Sequence, residues 1–311
     1  MTAPAVSLPR TAAKGSERRV ARPRRNWGNL GLLGPFMVLY VLFLIGPLLY
    51  DVVMSFFNTS LVLPGLGSFA GLANYRELFG DSRFWQAMWH TIVFTLVSTP
   101  PLVVIPLFFA IVVNRISRGQ WFFRLAFFLP YILPSAVIAL IWLWLYEPGY
   151  GLVDGFFNLI GVTAPGWLSS SSVALYSIVI VTVWWTIGFN FILYLAGLQD
   201  ISRDLYEAAA LDGASRWKQT WRLTLPLLGR TTTLVVVLQV IASLKIFDQI
   251  YLITAGGPNY ATRSAIEFIY DTGFTSQRVG YASAASLVLF VVILIVSFVW
   301  LFLIRKQERG V

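Results

Sequence analysis

Six stretches of this chain, at about 30–50, 88–113, 121–145, 173–197, 231–254 and 283–304, are long, apolar and nearly free of charge. Arg124, Lys245 and Asp248 are the charged residues they contain. A helix rises about 1.5 Å per residue, so each stretch can cover a hydrocarbon core of roughly 30 Å. No water reaches backbone N–H and C=O groups in that core, which favours helices, whose bonds are internal. The expected fold is an all-α membrane protein with six transmembrane helices. Composition agrees, with 57% of the residues hydrophobic and 12% charged, about half the charged share of a soluble domain.

The first apolar run follows a basic tail, residues 1–29, that carries Arg10, Lys14, Arg18, Arg19, Arg22, Arg24 and Arg25 against the single acid Glu17. Its Pro, Ala and Ser content points to disorder. The run after it is longer than the core of a signal peptide, so it reads as an uncleaved first span. The spans together make one domain, 30–304, followed by a short tail, 305–311. With six crossings both termini share a side. That side also collects the basic residues of the turns after the second and fourth spans, including Arg115, Arg118, Arg203, Arg216, Lys218 and Arg222. The opposite side holds only Arg76, Arg83, Arg263 and Arg278. By the positive-inside rule the basic side, with both termini, is cytoplasmic.

Several chemistries are excluded. The chain has no cysteine and one histidine, His90, which removes disulfides, thiolate sites and histidine-based metal sites. The net charge of +9 follows membrane topology and does not indicate nucleic acid. No Gly-x-x-x-x-Gly-Lys-Ser/Thr loop is present to cradle phosphates, and no acid–base or nucleophile set sits where catalysis is plausible. No enzyme activity, cofactor or metal is expected of this chain alone.

The longest polar interruption in the second half runs from Leu205 to Leu228, within a loop at about 200–228. Ile201–Asp212 reads as a short helix with Ser202 as N-cap, Asp204 in its first turn and Gly213 at the left-handed position that ends it. A second helix, about Ser215–Leu225, carries Arg216, Lys218 and Arg222 and is expected to break at Pro226. Ala208, Ala209 and Ala210 give the first helix a side of little bulk, open to close approach by another protein.

Glu207-Ala208-Ala209, then Gly213, then Leu225-Pro226 resemble the EAA loop of the membrane subunits of bacterial binding-protein-dependent ABC importers. The likeness to the sugar-importer branch continues along most of the chain. Gly71-Leu72-Ala73-Asn74-Tyr75, Phe128-Leu129-Pro130, Gly188-Phe189-Asn190, Phe247-Asp248, Gly256-Gly257-Pro258 and Gly280-Tyr281-Ala282 are similar to its motifs. Two positions depart. Ser202 stands where many relatives have Pro, and Gly229-Arg230 where a Pro often follows. The resemblance implies a cytoplasmic coupling-helix loop between spans four and five, with Glu207, Ala208, Ala209, Asp212 and Gly213 docking in a cleft of an ATP-binding subunit. It further implies a second homologous permease subunit, two ATP-binding subunits, an extracytoplasmic solute-binding protein and a sugar or oligosaccharide cargo, in a bacterial cell membrane.

Polar side chains at membrane depth are costly, so they are candidates for the translocation path. They are Asn190, Gln239, Lys245 and Asp248. Lys245 and Asp248, three apart, suit an ion pair on one helix face. Structural pairing between spans is as good a reading as substrate contact. Tyr131, Trp142, Trp144, Trp184, Trp185 and Phe189 suit either sugar stacking or interfacial belts. Alternative cargoes include glycerol phosphate, although Lys245 is the only basic residue clearly inside a span, Arg124 lying at the cytoplasmic edge of its own, which favours a neutral solute. A secondary transporter is a further class, disfavoured because no inverted repeat is visible and Asp248 is the only buried acid expected.

Overall fold

The computed structural model describes residues 27–308 except Ser117, with side chains from Leu33 to Trp300 and Phe302. The predicted tail, 1–29, lies outside the described residues except for 27–29, which already belong to a helix, Trp27–Tyr40. Residues 309–311 of the predicted C-terminal tail also lie outside. The chain forms two compact units, Met1–Leu48 and Leu49–Val311. Helix carries the architecture, and among the described residues the β contact is a single bridge between Phe57 and Phe69.

Four helices are long and apolar enough to cross a membrane: α1 (Leu33–Met54), α3 (Ser82–Asn114), α7 (Ala174–Gln199) and α13, whose apolar part is Val279–Trp300 within the helix Val279–Glu308. The short α2 (Ala73–Gly80) precedes α3. Two bent pairs also qualify. One is α4 (Gln120–Ile132) with α5 (Ser135–Leu145), meeting at 96°. The other is α9 (Arg216–Leu227) with α10 (Gly229–Leu244), meeting at 60°. Taking each pair as one span gives up to six. Between them lie α6 (Leu152–Leu159), α8 (Arg203–Leu211), α11 (Asp248–Ile253) and α12 (Ala265–Tyr270).

The bend between α4 and α5 departs from the straight span expected at 121–145. Pro134 lacks an N–H and pushes the residue before it out of the helical region. Leu133 is accordingly extended, at φ −70°, ψ 140°. The span expected at 231–254 is also interrupted. The α10 helix stops at Leu244, Phe247 takes φ −145°, ψ −62°, and α11 starts afresh at Asp248. Pro226, by contrast, does not end α9. The helix widens to a π-type turn at Thr220–Thr224, then runs through the proline to Leu227. A widened turn is one way to accommodate a missing donor and a bulky ring.

In the unit Leu49–Val311, α3 runs along both α7 and α10, while α4 lies on α7 and α11 on α5. Phe94, Ile138, Trp142, Ile178, Ile246 and Ile250 form one buried cluster. Phe191, Tyr194, Leu198, Leu228 and Val235 form a second towards the other end of α7. At Gly188 the backbones of α7 and α4 come close, since a Cβ there would fall on the carbonyl of Phe127. At the far end of α3 a third cluster gathers Leu78, Phe84, Phe268 and Tyr281. It is pinned at its rim by Arg278, which donates to both carboxylate oxygens of Glu77, and by the Tyr281 hydroxyl, which donates to Asp81 at 2.9 Å.

Candidate functional site: a central cavity and an exposed helical loop

Pro106 sits inside α3 and has no N–H to give the carbonyl of Leu102 four residues back. A buried carbonyl left that way costs free energy unless another donor reaches it. Asn190, on α7 and 1% exposed, supplies one: its Nδ2 donates to Leu102 O at 2.7 Å and to Gln239 Oε1 on α10 at 3.2 Å. Gln239 Nε2 donates to Ser243 Oγ at 3.2 Å, and the Ser243 and Ser98 hydroxyls hydrogen-bond at 3.1 Å. Two of the four polar candidates, Asn190 and Gln239, therefore belong to one polar chain that ties α3, α7 and α10 together.

That chain forms part of the wall of a cavity of about 460 Å³. All four candidates, Asn190, Gln239, Lys245 and Asp248, line it. The expected Lys245–Asp248 pair on one helix face does not form. The helix is broken between them, so three-residue spacing no longer puts them side by side, and among the described residues no ion pair joins them. Both side chains are exposed at the cavity. Of the six aromatic candidates, Tyr131, Trp185 and Phe189 line the cavity, with Tyr131 and Phe189 stacked at 5.3 Å. Trp142 is instead buried against Tyr146 and Trp184, while Trp144 is exposed away from the lining residues.

Sequence reasoning missed the buried acid. Asp248 is exposed, whereas Glu267 on α12 is 2% exposed. Burial, reinforced by the charge of Asp271, pushes its carboxyl up to about 7. Asp271 is itself held by Arg263 at 2.7 Å. The four-residue spacing of Glu267 and Asp271 on one helical run was the available signal for a shared face; Arg263 lies before that helix begins.

The second candidate site is the helical loop. Ser202 accepts from the Asp204 N–H at 3.2 Å, as its N-cap reading expects, and Gly213 lies at φ +75°. Glu207, Ala208, Asp212 and Gly213 are exposed, and Ala209 is half-buried. The second helix folds back on the first: Tyr206 and Thr224 hydroxyls meet at 3.0 Å, and Gln219 Nε2 donates to Ala214 O at 3.1 Å. Leu211 at the end of the first helix and Trp217 and Trp221 on the second are exposed. A capped pair of helices with apolar side chains exposed at one end is shaped for a protein partner.

Apolar helices around a polar-lined cavity, with an exposed helical loop, define a membrane transport subunit. Comparison with known proteins makes this specific. Residues 107–309 match the family described as binding-protein-dependent transport system inner membrane component. The sulfoquinovosyl glycerol transport system permease protein SmoG of Agrobacterium fabrum is 33% identical over 96% of this chain and 99% of that protein. The sn-glycerol-3-phosphate transport system permease protein UgpA of Salmonella typhimurium is 35% identical over 94% and 99%. The trehalose/maltose transport system permease protein MalF of Thermococcus litoralis is 33% identical over 86% and 90%. The fold is also that of a bacterial ABC transporter involved in the import of the acidic polysaccharide alginate, with a TM-score of 0.80 at 24% identity over 91% of this chain and 96% of that one. This chain belongs to the family of inner membrane components of binding-protein-dependent transport systems and is an ABC importer permease, an all-α multi-pass membrane protein.

Proposed function

We propose that this permease forms half of the translocation path for a sugar or glycoside delivered by an extracytoplasmic binding protein, with import driven by ATP hydrolysis on two separate ATP-binding subunits. The observation that carries the cargo class is the cavity. Carbohydrates are bound by aromatic faces together with amide and hydroxyl groups, and Tyr131, Phe189 and Trp185 stand there with Asn190, Gln239 and Ser243. The names of the relatives, which span sugar and glycerol-phosphate systems, support the same reading.

Coupling is assigned to Glu207, Ala208, Ala209, Asp212 and Gly213, on and just past a capped helix and all but the half-buried Ala209 exposed, which suits insertion into a cleft of an ATP-binding subunit. Glu207 there pairs with a basic group of that subunit. A second, homologous permease subunit completes the path. The distribution of basic residues supports a cytoplasmic side for both termini and this loop.

A second reading, an anionic cargo such as a phosphorylated polyol, is favoured by one observation: the Lys245 ammonium lines the cavity without an ion-pair partner among the described residues. One experiment separates the readings. The complex is reconstituted in lipid, and its ATPase activity is measured with the binding protein and neutral or phosphorylated solutes. Stimulation by a neutral sugar that survives Lys245→Gln supports the first reading, and stimulation by a phosphorylated solute that this change abolishes supports the second. Glu207→Ala is expected to lower stimulated activity at least tenfold with either cargo. Unchanged coupling in that variant would refute the docking role.

A further inference from the structure

A second cavity, of about 290 Å³, lies where α3 ends, between that end and the helical loop. Its wall is cationic. Arg115 and Arg216 line it together with Asn114, Tyr206, Gln219 and Thr220, and no acidic side chain does so. Neither arginine has an ion pair among the described residues. The Arg115 guanidinium is not loose. Its Nη2 donates to Thr220 Oγ1 at 2.6 Å, and that hydroxyl in turn donates to the Arg216 carbonyl at 2.9 Å. A pinned guanidinium has already lost much of its rotamer freedom, so less is lost when it forms further bonds.

Two arginines facing one cavity with no counter-charge repel each other, and an anion between them removes that repulsion. Tyr206, Thr224 and Gln219 also line the cavity, but their hydroxyl and amide hydrogens are bonded within the loop, so the two guanidiniums are the donors that face an anion there. Planar guanidinium forks match the paired oxygens of a phosphate group, which a monatomic halide does not offer. The depth is also right. Arg115 directly follows Asn114, the last residue of α3, and basic residues at the end of an apolar span reach the level of the lipid phosphates.

We propose that this cavity is a phosphate site, filled by the headgroup of an anionic phospholipid or by a free phosphate, which clamps the Arg203–Leu227 helical loop against the end of α3. The site is distinct from the cargo cavity and does not depend on which solute crosses. Occupancy ties the rigidity of the loop to the anion supply of the membrane surface.

The test uses the full transporter complex, delipidated in detergent and titrated with phosphatidylglycerol or phosphatidylcholine, with bound lipid counted by native mass spectrometry. Wild type is expected to retain phosphatidylglycerol in preference. Arg115→Gln and Arg216→Gln are each expected to weaken that retention about tenfold, the cost of one charge-assisted hydrogen-bonding partner. Arg115→Lys should keep part of it, and the Arg216 variant, which leaves the Arg115–Thr220 bond in place, reports even where Arg115→Gln does not assemble. Inorganic phosphate that binds with the same dependence on both arginines, while lipid shows no preference, assigns the site to the free anion. Equal retention of both lipids with no phosphate binding, or insensitivity to both arginines, overturns the proposal. So does lipid that is bound by the permease subunits but expelled in the full complex, because a carboxylate of the ATP-binding subunit then fills the cavity.

Discussion

Asn190→Leu tests whether the polar chain at the cavity is held by a gap in a neighbouring helix. The substitution keeps roughly the side-chain size and removes the donor at 2.7 Å from Leu102 O and 3.2 Å from Gln239 Oε1. Leaving a buried carbonyl without a partner costs about 1–3 kcal/mol. Hydrogen bonds between membrane helices measure lower, about 0.6 kcal/mol on average with a maximum near 1.7. Leu102 belongs at the high end because Pro106 denies it the helical donor that other carbonyls keep, so about 2 kcal/mol is expected. Gln239→Leu should cost less, since no backbone carbonyl depends on it. The decisive variant is Pro106→Ala in the Asn190→Leu background. It restores an N–H four residues after Leu102 and should recover about 1 kcal/mol or more of the loss. The assay is reversible unfolding of the purified permease in mixed micelles, run as a double-mutant cycle. Additive effects, within about 0.5 kcal/mol, would refute the reasoning: Leu102 would not be what Asn190 serves.

Two further predictions concern packing and pH. Glu267 holds its proton up to about pH 7 in the folded protein, against 4.5 for an ordinary glutamate. Its contribution to stability is therefore fully present below about pH 4.5 and is lost as pH rises through 7, a fall of about 3 kcal/mol. Thermal unfolding between about pH 5 and 8 should show this slope in wild type and lose most of it in Glu267→Gln; equal slopes would mean that another group carries it. Gly188→Ala drives a methyl onto the Phe127 carbonyl, which should part α4 from α7 and cost about 1–3 kcal/mol. Gly155→Ala, which meets open space, is the control and should leave the melting temperature nearly unchanged.

How much was readable depended on the range of the interaction. The apolar helices, the Ser202 cap and the left-handed Gly213 were legible because each rests on residues within a turn or two of one another. The Lys245–Asp248 pairing failed for a related reason. It assumed a helix continuous from 231 to 254, and no strong breaker lies between Leu244 and Asp248 in the sequence. The helix stops there, and Ser264 Oγ donates to the carbonyl of Ile246 at 2.9 Å from 18 residues away. Pro226 was over-read in the opposite sense, as the π-type turn before it absorbs the missing donor.

The sequence by itself determined that this chain lives in a membrane, that it does so as helices, and that an exposed charged loop interrupts them. These follow from the cost of unpaired backbone and of charge in hydrocarbon, which acts on each segment alone. Only the tertiary structure decided which polar groups meet. Asn190 finds Leu102 across 88 positions, the four polar candidates converge on one cavity, and Glu267, not Asp248, is the acid that is buried. The physical reason is that a proline-freed carbonyl or a lone carboxyl specifies only that it needs a partner. Which partner arrives is set by how the helices pack.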